Sequence, residues 1–366
     1  MTQSCIGTPK LELDTPILCI DLEVMDSNMR KMAEFITSRG KQWRPHEKCH
    51  KTPAIALKQM GYGAIGVTCA KVSEAEVMAA AGIRDILIAN MIVGRQKTER
   101  VAALCRHADP IVAVDHFAQA EPLAATCRER GVSCRVIIEV DIGLNRVGSR
   151  PGVDTHELAQ AIDRLEGVKL SGIMGYEGHL LTVADPVEKR EKIEEAMGVL
   201  RHCRDRLLND NMDCSIVSAG GTGSYQITSD CEGVTELQCG GGIFADPMYQ
   251  MNMGVENLDY ALTVLATVVS RPALDRAVLD SGRKSQHPDF IKPLVKGHPG
   301  ATVTHVSAEH CQLALEGEAR DLKIGDKVEL IVGYADFTTV MHDFFYGFRD
   351  ERLEVVWPIQ GRGKLQ

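Results

Sequence analysis

The amino-acid sequence lacks features that mark several classes of protein. No apolar run among its 366 residues is long enough to cross a membrane, and no block is dense in lysine and arginine. The formal net charge is −9, whereas nucleic-acid binding normally requires a basic face. The sequence therefore predicts neither a membrane nor a nucleic-acid partner.

Signals for structural zinc and for secretion are also missing. The 12 cysteines are scattered, and no closely spaced pair of them is followed by a pair of histidines. Residues 1–10 lack the apolar core of a secretory signal. We expect buried thiols in a reducing compartment and therefore a cytoplasmic protein.

An alternation of predicted strands and helices occupies the first two thirds of the chain. Runs of strand length are followed by runs in which apolar residues recur at three- and four-residue spacing, as in Met29, Met32 and Ile36. The predicted strands are residues 17–22, 42–44, 64–68, 85–89, 111–114, 135–141, 169–174 and 215–218. Eight such units favour a closed (β/α)8 TIM-type barrel of the α/β class. A dinucleotide-binding fold is disfavoured because no glycine fingerprint follows the first strand.

The pattern changes after about residue 255. Predicted strands at 261–269, 301–305, 327–332 and 353–357 are separated by glycine, proline and aspartate turns, and helical periodicity is weak. We predict a barrel at 15–255 and a second, mainly β domain at 256–366. Residues 1–14 are a candidate addition to that second domain.

Lys48 is the first candidate for chemistry. It lies in the lysine- and histidine-rich stretch 44–51, at the end of the second predicted strand, and barrel active sites gather at the carboxyl ends of strands. Partial burial and neighbouring cations would lower its pKa and make the amine a better nucleophile for an aldehyde.

Two glycine-rich segments, 218–224 and 238–242, are a candidate phosphate site. Backbone N–H groups at glycines can converge on an anion, and barrels often bind phosphate after their last two strands. The candidate residues are Ser218, Gly221, Thr222, Gly223, Gln238, Gly240 and Gly241. The loops after two other strands offer Arg146, Tyr176 and His179. A lysine, a phosphate cradle and an arginine on one rim fit pyridoxal phosphate, which supplies the electron sink.

These stretches together resemble the fold-type III, or alanine-racemase-like, pyridoxal phosphate enzymes. The similarity is greatest to the branch of D-threonine aldolase, D-serine dehydratase and 3-hydroxy-D-aspartate aldolase, and it covers nearly the whole chain. It is most specific at residues 44–51 and 220–223. It implies that Lys48 forms the Schiff base, and that the protein is a homodimer acting on a small amino acid. The other cofactor contacts that it implies are Arg146, Tyr176, Thr222, Gly223, Gly240 and Gly241.

The sequence departs from that branch at its metal site. Its members usually bind a divalent metal through a His-x-Asp or His-x-Cys pair, whereas the matching segment here is Tyr334-Ala335-Asp336. A phenol with a pKa of about 10 is a poor ligand for a hard cation. Asp336 is therefore a metal candidate without its histidine, and His179, His342 or Asp343 could complete a different site. Whether a metal binds stays open here.

The leading hypothesis is an aldolase that cleaves the Cα–Cβ bond of a D-3-hydroxy amino acid such as D-threonine or 3-hydroxy-D-aspartate. His179 or Tyr334 would act on the 3-hydroxyl. The first alternative is a racemase with Lys48 and Tyr334 as its two bases, because residues 332–336 also resemble the tyrosine segment of alanine racemase. The second alternative is a dehydratase, and the third is a non-catalytic cofactor carrier. Candidates for recognising the substrate side chain are Arg283, Lys284, Gln286 and His310.

Overall fold

The structure is a computed structural model that describes residues 5–366. Its strands are β1 Ile17–Asp21, β2 Gln42–Trp43, β3 Val67–Cys69, β4 Asp85–Ile88, β5 Asp109–Val114, β6 Cys134–Glu139, β7 Val168–Met174, β8 Ile216–Ala219, β9 Glu236–Leu237, β10 Leu262–Ala273, β11 Arg276–Leu279, β12 Leu294–Val295, β13 Ala301–Val306, β14 Cys311–Leu315, β15 Lys327–Ile331, β16 Phe344–Arg349 and β17 Arg352–Pro358. Its α-helices are α1 Leu22–Thr37, α2 Pro53–Gly61, α3 Val72–Ala80, α4 Arg95–Leu104, α5 Phe117–Arg130, α6 Val153–Asp163, α7 Pro186–Asn209, α8 Tyr225–Thr228 and α9 Ala335–Thr339.

Eight parallel strands form the barrel. Their order is β2-β9-β8-β7-β6-β5-β4-β3, and every pair in it is parallel. The two edge strands also meet, since the Ile65 N–H donates to the Trp43 carbonyl at 2.9 Å and His46 forms a parallel bridge to Thr68. The sheet therefore closes, and the predicted fold class is confirmed.

The assignment of strands to the barrel needs one correction. Strand β1, predicted as the first barrel strand, pairs antiparallel with β10 and parallel with β16 in the second sheet. The eighth barrel strand is the two-residue β9, which is too short to leave a periodic signal. A strand covered on both faces has the same apolar pattern in either sheet. Periodicity therefore predicted the correct number of barrel strands but assigned β1 to the barrel in place of β9.

The second domain is a nine-stranded sheet. Its main path is β13-β14-β11-β10-β1-β16-β17, and β15 pairs with both β10 and β12. Near the amino terminus, the Gly7 N–H donates to the Leu353 carbonyl at 2.8 Å and the Lys10 N–H to the Glu351 carbonyl at 2.9 Å. Residues 7–10 therefore lie against this sheet, whereas residues 1–4 lie outside the described part of the chain.

Helices cover the barrel through the apolar faces seen in the sequence. Helix α1 is capped by Asp21, whose carboxylate accepts from the Val24 N–H at 3.0 Å. The helix buries Met29, Met32 and Ile36. The cysteines are buried as expected, apart from the partly exposed Cys5 and Cys105. Across residues 5–366, no helix combines the length and apolar character needed to cross a bilayer.

A buried ion pair lies where the barrel closes. The Arg44 guanidinium contacts Glu236 at 2.9 and 3.1 Å and Asp85 at 2.9 Å, and it is 2% exposed. Truncating one partner would leave the Glu236 carboxylate buried without its cation.

We predict that Arg44→Met lowers the free energy of unfolding by about 3–5 kcal/mol, measured by urea denaturation. Arg201→Met is the matched control, because the ion pair of Arg201 with Glu232 is solvent-exposed and its loss should cost under about 1 kcal/mol. Equal effects of the two changes would contradict this account of barrel closure.

Candidate active site

A cavity of about 410 Å³ opens at the carboxyl ends of the barrel strands, beside the second domain. Loops from both glycine-rich segments and from the second domain meet there. The predicted site residues that line it are Lys48, Arg146, Tyr176, Gly221, Thr222, Gln238, Gly240, Gly241 and Tyr334. The structure therefore brings most of the predicted residues together in one place.

Lys48 enters this cavity from a short 3-10 turn, Glu47–Cys49. The turn is capped by His46, whose Nδ1 accepts from the Lys48 N–H at 3.3 Å. Burial, with Lys48 and Lys51 nearby, holds the pKa of His46 well below its usual value, so the ring is neutral and can accept this bond.

The expected lowering of the Lys48 pKa is wrong for this arrangement. Its Nζ lies 3.0 Å from Oδ2 of Asp336, and that carboxylate raises the pKa of Lys48 more strongly than burial lowers it. The predicted lowering of the pKa rested on the neighbouring lysine and histidines. Local sequence does not show that an aspartate 288 positions away lies beside Lys48. Without cofactor, the amine is an ammonium ion paired with Asp336.

Tyr334 and Asp336 belong to the second domain and face Lys48 together. The Tyr334 hydroxyl donates to Oδ2 of Asp336 at 3.1 Å, and burial followed by Asp336 raises the pKa of the phenol. Asp246 holds this segment, because its Oδ2 accepts from the Ala335 N–H at 2.8 Å. Burial raises the pKa of Asp246 to about 8. One oxygen, Oδ2 of Asp336, thus joins the phenol to the lysine.

The glycine loops approach the cavity with bare backbone. A Cβ at Gly240 would lie 2.0 Å from the His46 carbonyl oxygen, and one at Gly221 would lie 2.9 Å from the Tyr176 ring. The Gly242 N–H donates to the Thr222 hydroxyl at 3.2 Å and so links the two loops. Only glycine fits at such distances, and glycine-rich backbone of this kind can form a cradle for an anion.

Two predicted cofactor residues support the cradle from behind. Ser218 is fully buried, and its Oγ accepts from Nε2 of Gln238 at 2.9 Å, which orients the Gln238 amide at the cavity. Gly223 is likewise outside the lining, where a Cβ would lie 2.5 Å from Met253 Sδ. Both residues act through neighbours that do line the cavity.

Arg146 lies on the rim with its charge already paired. Its guanidinium contacts Oε1 of Glu139 at 3.2 Å and is centred 5.5 Å from the Tyr176 ring. Burial raises the pKa of Glu139, against the lowering effect of Arg146. This pair holds the guanidinium over the phenol ring at the cavity wall.

His179 does not line the cavity. After β7 the chain makes a 3-10 turn, Gly178–Leu180, which leaves His179 exposed with its ring against Gly143 and brings the following Leu181 to the cavity wall. The location gives no support to His179 as the base on the 3-hydroxyl, and that role stays a prediction of the sequence.

The four candidates for recognising the substrate side chain also lie elsewhere. Arg283 pairs with Asp289 at 2.6 Å and Lys284 with Glu309 at 2.6 Å. Gln286 is buried and donates to the Ser281 carbonyl, whereas His310 is exposed at the β13–β14 turn; neither is a lining residue.

Four polar lining residues were not predicted from the sequence. They are His46, Asn90, Glu139 and Tyr249. His46 stands in the stretch already singled out, and Asn90 and Glu139 are at the ends of strands β4 and β6, the positions where barrel sites gather. Tyr249 had no comparable signal, because it follows the barrel in a π-helical turn, Met248–Asn252.

The side chains around Asp336 do not fit a divalent metal. Its Oδ2 is shared by an ammonium and a phenol, and His342 binds the Ser285 carbonyl instead at 2.8 Å. Asp343 is paired with Arg362. Within the described part of the chain, no three histidine, cysteine, aspartate or glutamate side chains form a group that could hold a metal ion.

Comparison with known proteins identifies the family of this chain. The alanine racemase N-terminal domain model matches residues 20–247, and a serine dehydratase domain model matches residues 261–348. The chain belongs to the alanine racemase N-terminal domain family. This family implies pyridoxal phosphate as the cofactor, and the predicted family is confirmed.

Similar proteins resemble the chain along nearly its whole length. D-threonine aldolase of Arthrobacter sp. is 34% identical over 98% of this chain and 95% of its own. A 3-hydroxy-D-aspartate aldolase of Paracoccus denitrificans is 32% identical over 98% and 94%. The crystal structure of D-threonine aldolase from Filomicrobium marinum superposes with a TM-score of 0.95, at 35% identity and 99% coverage of both chains. These three proteins are aldolases of D-threonine or 3-hydroxy-D-aspartate, and a D-threo-3-hydroxyaspartate dehydratase of Delftia sp. is also similar, at 31% identity over 87% of this chain and 88% of its own.

We predict that Gly240→Ala weakens the affinity for pyridoxal phosphate by about 5- to 150-fold, because relieving the contact with the His46 carbonyl must shift one wall of the cradle, at a cost of about 1–3 kcal/mol. Titration of the cofactor, followed by its visible absorbance, measures the change. Gly198→Ala in α7 is the control, since nothing lies within 4 Å of its Cβ position. Unchanged affinity in Gly240→Ala would show that the loop is not a cradle.

Proposed function

We propose that this protein is a pyridoxal phosphate-dependent aldolase that cleaves a D-3-hydroxy amino acid to glycine and an aldehyde. The observation that carries the proposal is the chain of contacts from Tyr334 through Asp336 to Lys48, in which Tyr334 and Lys48 line the cavity that the glycine loops also line. The names of the similar proteins support the same reaction. The homodimer and the cytoplasmic location expected from the sequence stay predictions.

The residues present fit pyridoxal phosphate. Lys48 would bind the aldehyde, the two glycine loops with Thr222 would hold the phosphate, and Arg146 with Tyr176 would contact the ring. The fit rests on the two glycine loops, which line the cavity with backbone, and on the close approach at Gly240, which leaves no room for a side chain. When bound, the cofactor accepts the electron pair that remains on Cα as the Cα–Cβ bond breaks.

The protein groups can then carry one proton from the substrate oxygen to Cα. Burial keeps Tyr334 protonated, so its oxygen can accept the 3-hydroxyl proton only while its own proton passes to Asp336. Asp336 lies 3.0 Å from Lys48, which can deliver a proton to Cα. The O–H and Cα–Cβ bonds break, the aldehyde C=O and a new Cα–H bond form, and the charges balance.

This arrangement supports cleavage above the two alternatives. A two-base racemase needs proton carriers on opposite faces of Cα, whereas Lys48 and Tyr334 contact one and the same oxygen of Asp336. A dehydratase must expel hydroxide, a step that benefits from a Lewis acid, and the donors around Asp336 do not fit a metal. A non-catalytic carrier would have no use for the second domain, which contributes Tyr334 and Asp336.

The charges of the cavity favour a neutral group on the β-carbon of the substrate. Among the described lining residues the cationic side chains are Lys48 and Arg146, and both are paired with carboxylates, Asp336 and Glu139. A second substrate carboxylate would be desolvated beside Asp336 without a partner. We therefore propose D-threonine-like substrates in preference to 3-hydroxy-D-aspartate.

The first test follows products and cofactor together. We expect purified enzyme with pyridoxal phosphate to form glycine and acetaldehyde from D-threonine, with a kcat/KM at least about tenfold above that for 3-hydroxy-D-aspartate. A metal chelator should leave this rate unchanged. Lys48→Ala should lose both activity and the visible absorbance of the lysine-bound cofactor. Recovery of D-threonine carrying solvent deuterium at Cα, or its inversion, without cleavage would point to racemisation.

The second test isolates the phenol. Tyr334→Phe removes the hydroxyl that accepts the substrate proton, so we expect kcat to fall by roughly 10²–10⁴ while the absorbance of the lysine-bound cofactor is retained. Phe337→Leu is the control, since its ring packs on that of Tyr334 at 5.2 Å but has no proton to move. A Tyr334→Phe enzyme with normal kcat would remove Tyr334 from the mechanism.

A further inference from the structure

Lys189 is a buried cation with no carboxylate beside it. It stands in the first turn of α7 and is 6% exposed. Its Nζ donates to the Gly223 carbonyl at 2.8 Å and to the Met253 carbonyl at 2.5 Å. Throughout residues 5–366, no carboxylate oxygen lies within ion-pair distance of it. Burial accordingly lowers the pKa of Lys189 to about 8.

An ammonium in such a position is costly unless an anion offsets its charge. Two carbonyl dipoles supply part of that compensation. The first of them belongs to the glycine loop that forms the cradle, and the second belongs to Met253, which lines the cavity. The charge therefore stands directly behind the place where the proposed cofactor would put its phosphate.

The opposite end of the same loop is held by a buried anion. Glu177 is fully buried, accepts from the Thr228 hydroxyl at 2.5 Å and contacts the Gly220 N–H at 3.4 Å. The loop is thus fixed at Gly220 by a carboxylate and at Gly223 by an ammonium. The cradle offers neutral backbone at its surface, and Lys189 stands behind it as a positive charge, whose pKa the Glu177 charge raises against the effect of burial.

We infer that Lys189 is a positioning residue for the phosphate of the cofactor, fixing the Gly223 carbonyl and supplying the positive charge that the cradle itself lacks. The inference rests on the proposed function in one respect, since it takes the cofactor to be a phosphate ester bound at Lys48. It assigns Lys189 no contact with the substrate and no part in proton transfer.

The test compares pyridoxal phosphate with pyridoxal, which has the same aldehyde and ring but no phosphate. Cofactor-free enzyme is titrated with each compound, and the absorbance of the lysine-bound form gives two dissociation constants. In Lys189→Met we expect pyridoxal phosphate to bind about 10- to 100-fold more weakly, the effect of losing one charge-assisted interaction, while pyridoxal binds within about threefold of wild type.

Three further variants separate charge from structure. Lys189→Arg keeps the charge and should restore most of the preference for the phosphate. Lys189→Gln keeps a hydrogen-bond donor without charge and should behave as Lys189→Met does. Lys192→Met, one turn along the same helix, removes an exposed lysine paired with Glu188 at 2.7 Å and should change neither constant.

Several outcomes would overturn the inference. It is wrong if Lys189→Gln binds pyridoxal phosphate as tightly as wild type, or if both compounds lose affinity equally, which is the result of a merely structural role. If Lys189→Met fails to fold, the inference is tested by the ratio of the two dissociation constants, for pyridoxal phosphate and for pyridoxal, in Lys189→Gln and Lys189→Arg. If the wild-type enzyme forms no visible complex with either compound, it is the proposed function that fails.

Discussion

The contact between Lys48 and Asp336 joins the two domains at the point where the chemistry takes place. The lysine belongs to the barrel and the aspartate to the second domain, and their atoms lie 3.0 Å apart. Further bonds hold the same turn, because the Thr339 hydroxyl donates to the Cys49 carbonyl and the Gly361 N–H donates to the Lys51 carbonyl, both at 2.8 Å. The position of the amine is thus set jointly by both domains.

The contacts of Asp336 differ from those of a metal ligand. With Tyr334 in place of the histidine of the metal pair, the aspartate keeps its position through Asp246 and the backbone of Ala335. Its partners become an ammonium and a phenol, both of which donate hydrogen bonds. The same carboxylate that would ligate a cation can then accept and pass on a proton.

The sequence predicted the fold class and most of the cavity residues for identifiable physical reasons. Barrel strands are apolar throughout, and the glycine-rich loops that follow particular barrel strands can be found in the sequence by their composition. What escaped prediction depends on contacts between distant parts of the chain. The membership of β1 in the second sheet, the ion pair of Lys48 and the burial of Lys189 are all of this kind, and local patterns carry no information about them.

The placement of β1 has a consequence for how the molecule is made on the ribosome. In the chain this strand precedes the whole barrel, yet its partners β10 and β16 lie about 240 and 330 positions later. The barrel strands, by contrast, pair mostly with neighbours in the chain and can assemble while synthesis continues. The apolar β1 segment therefore stays unpaired until β10 and β16 have been synthesised, and during that interval it has to be shielded from aggregation.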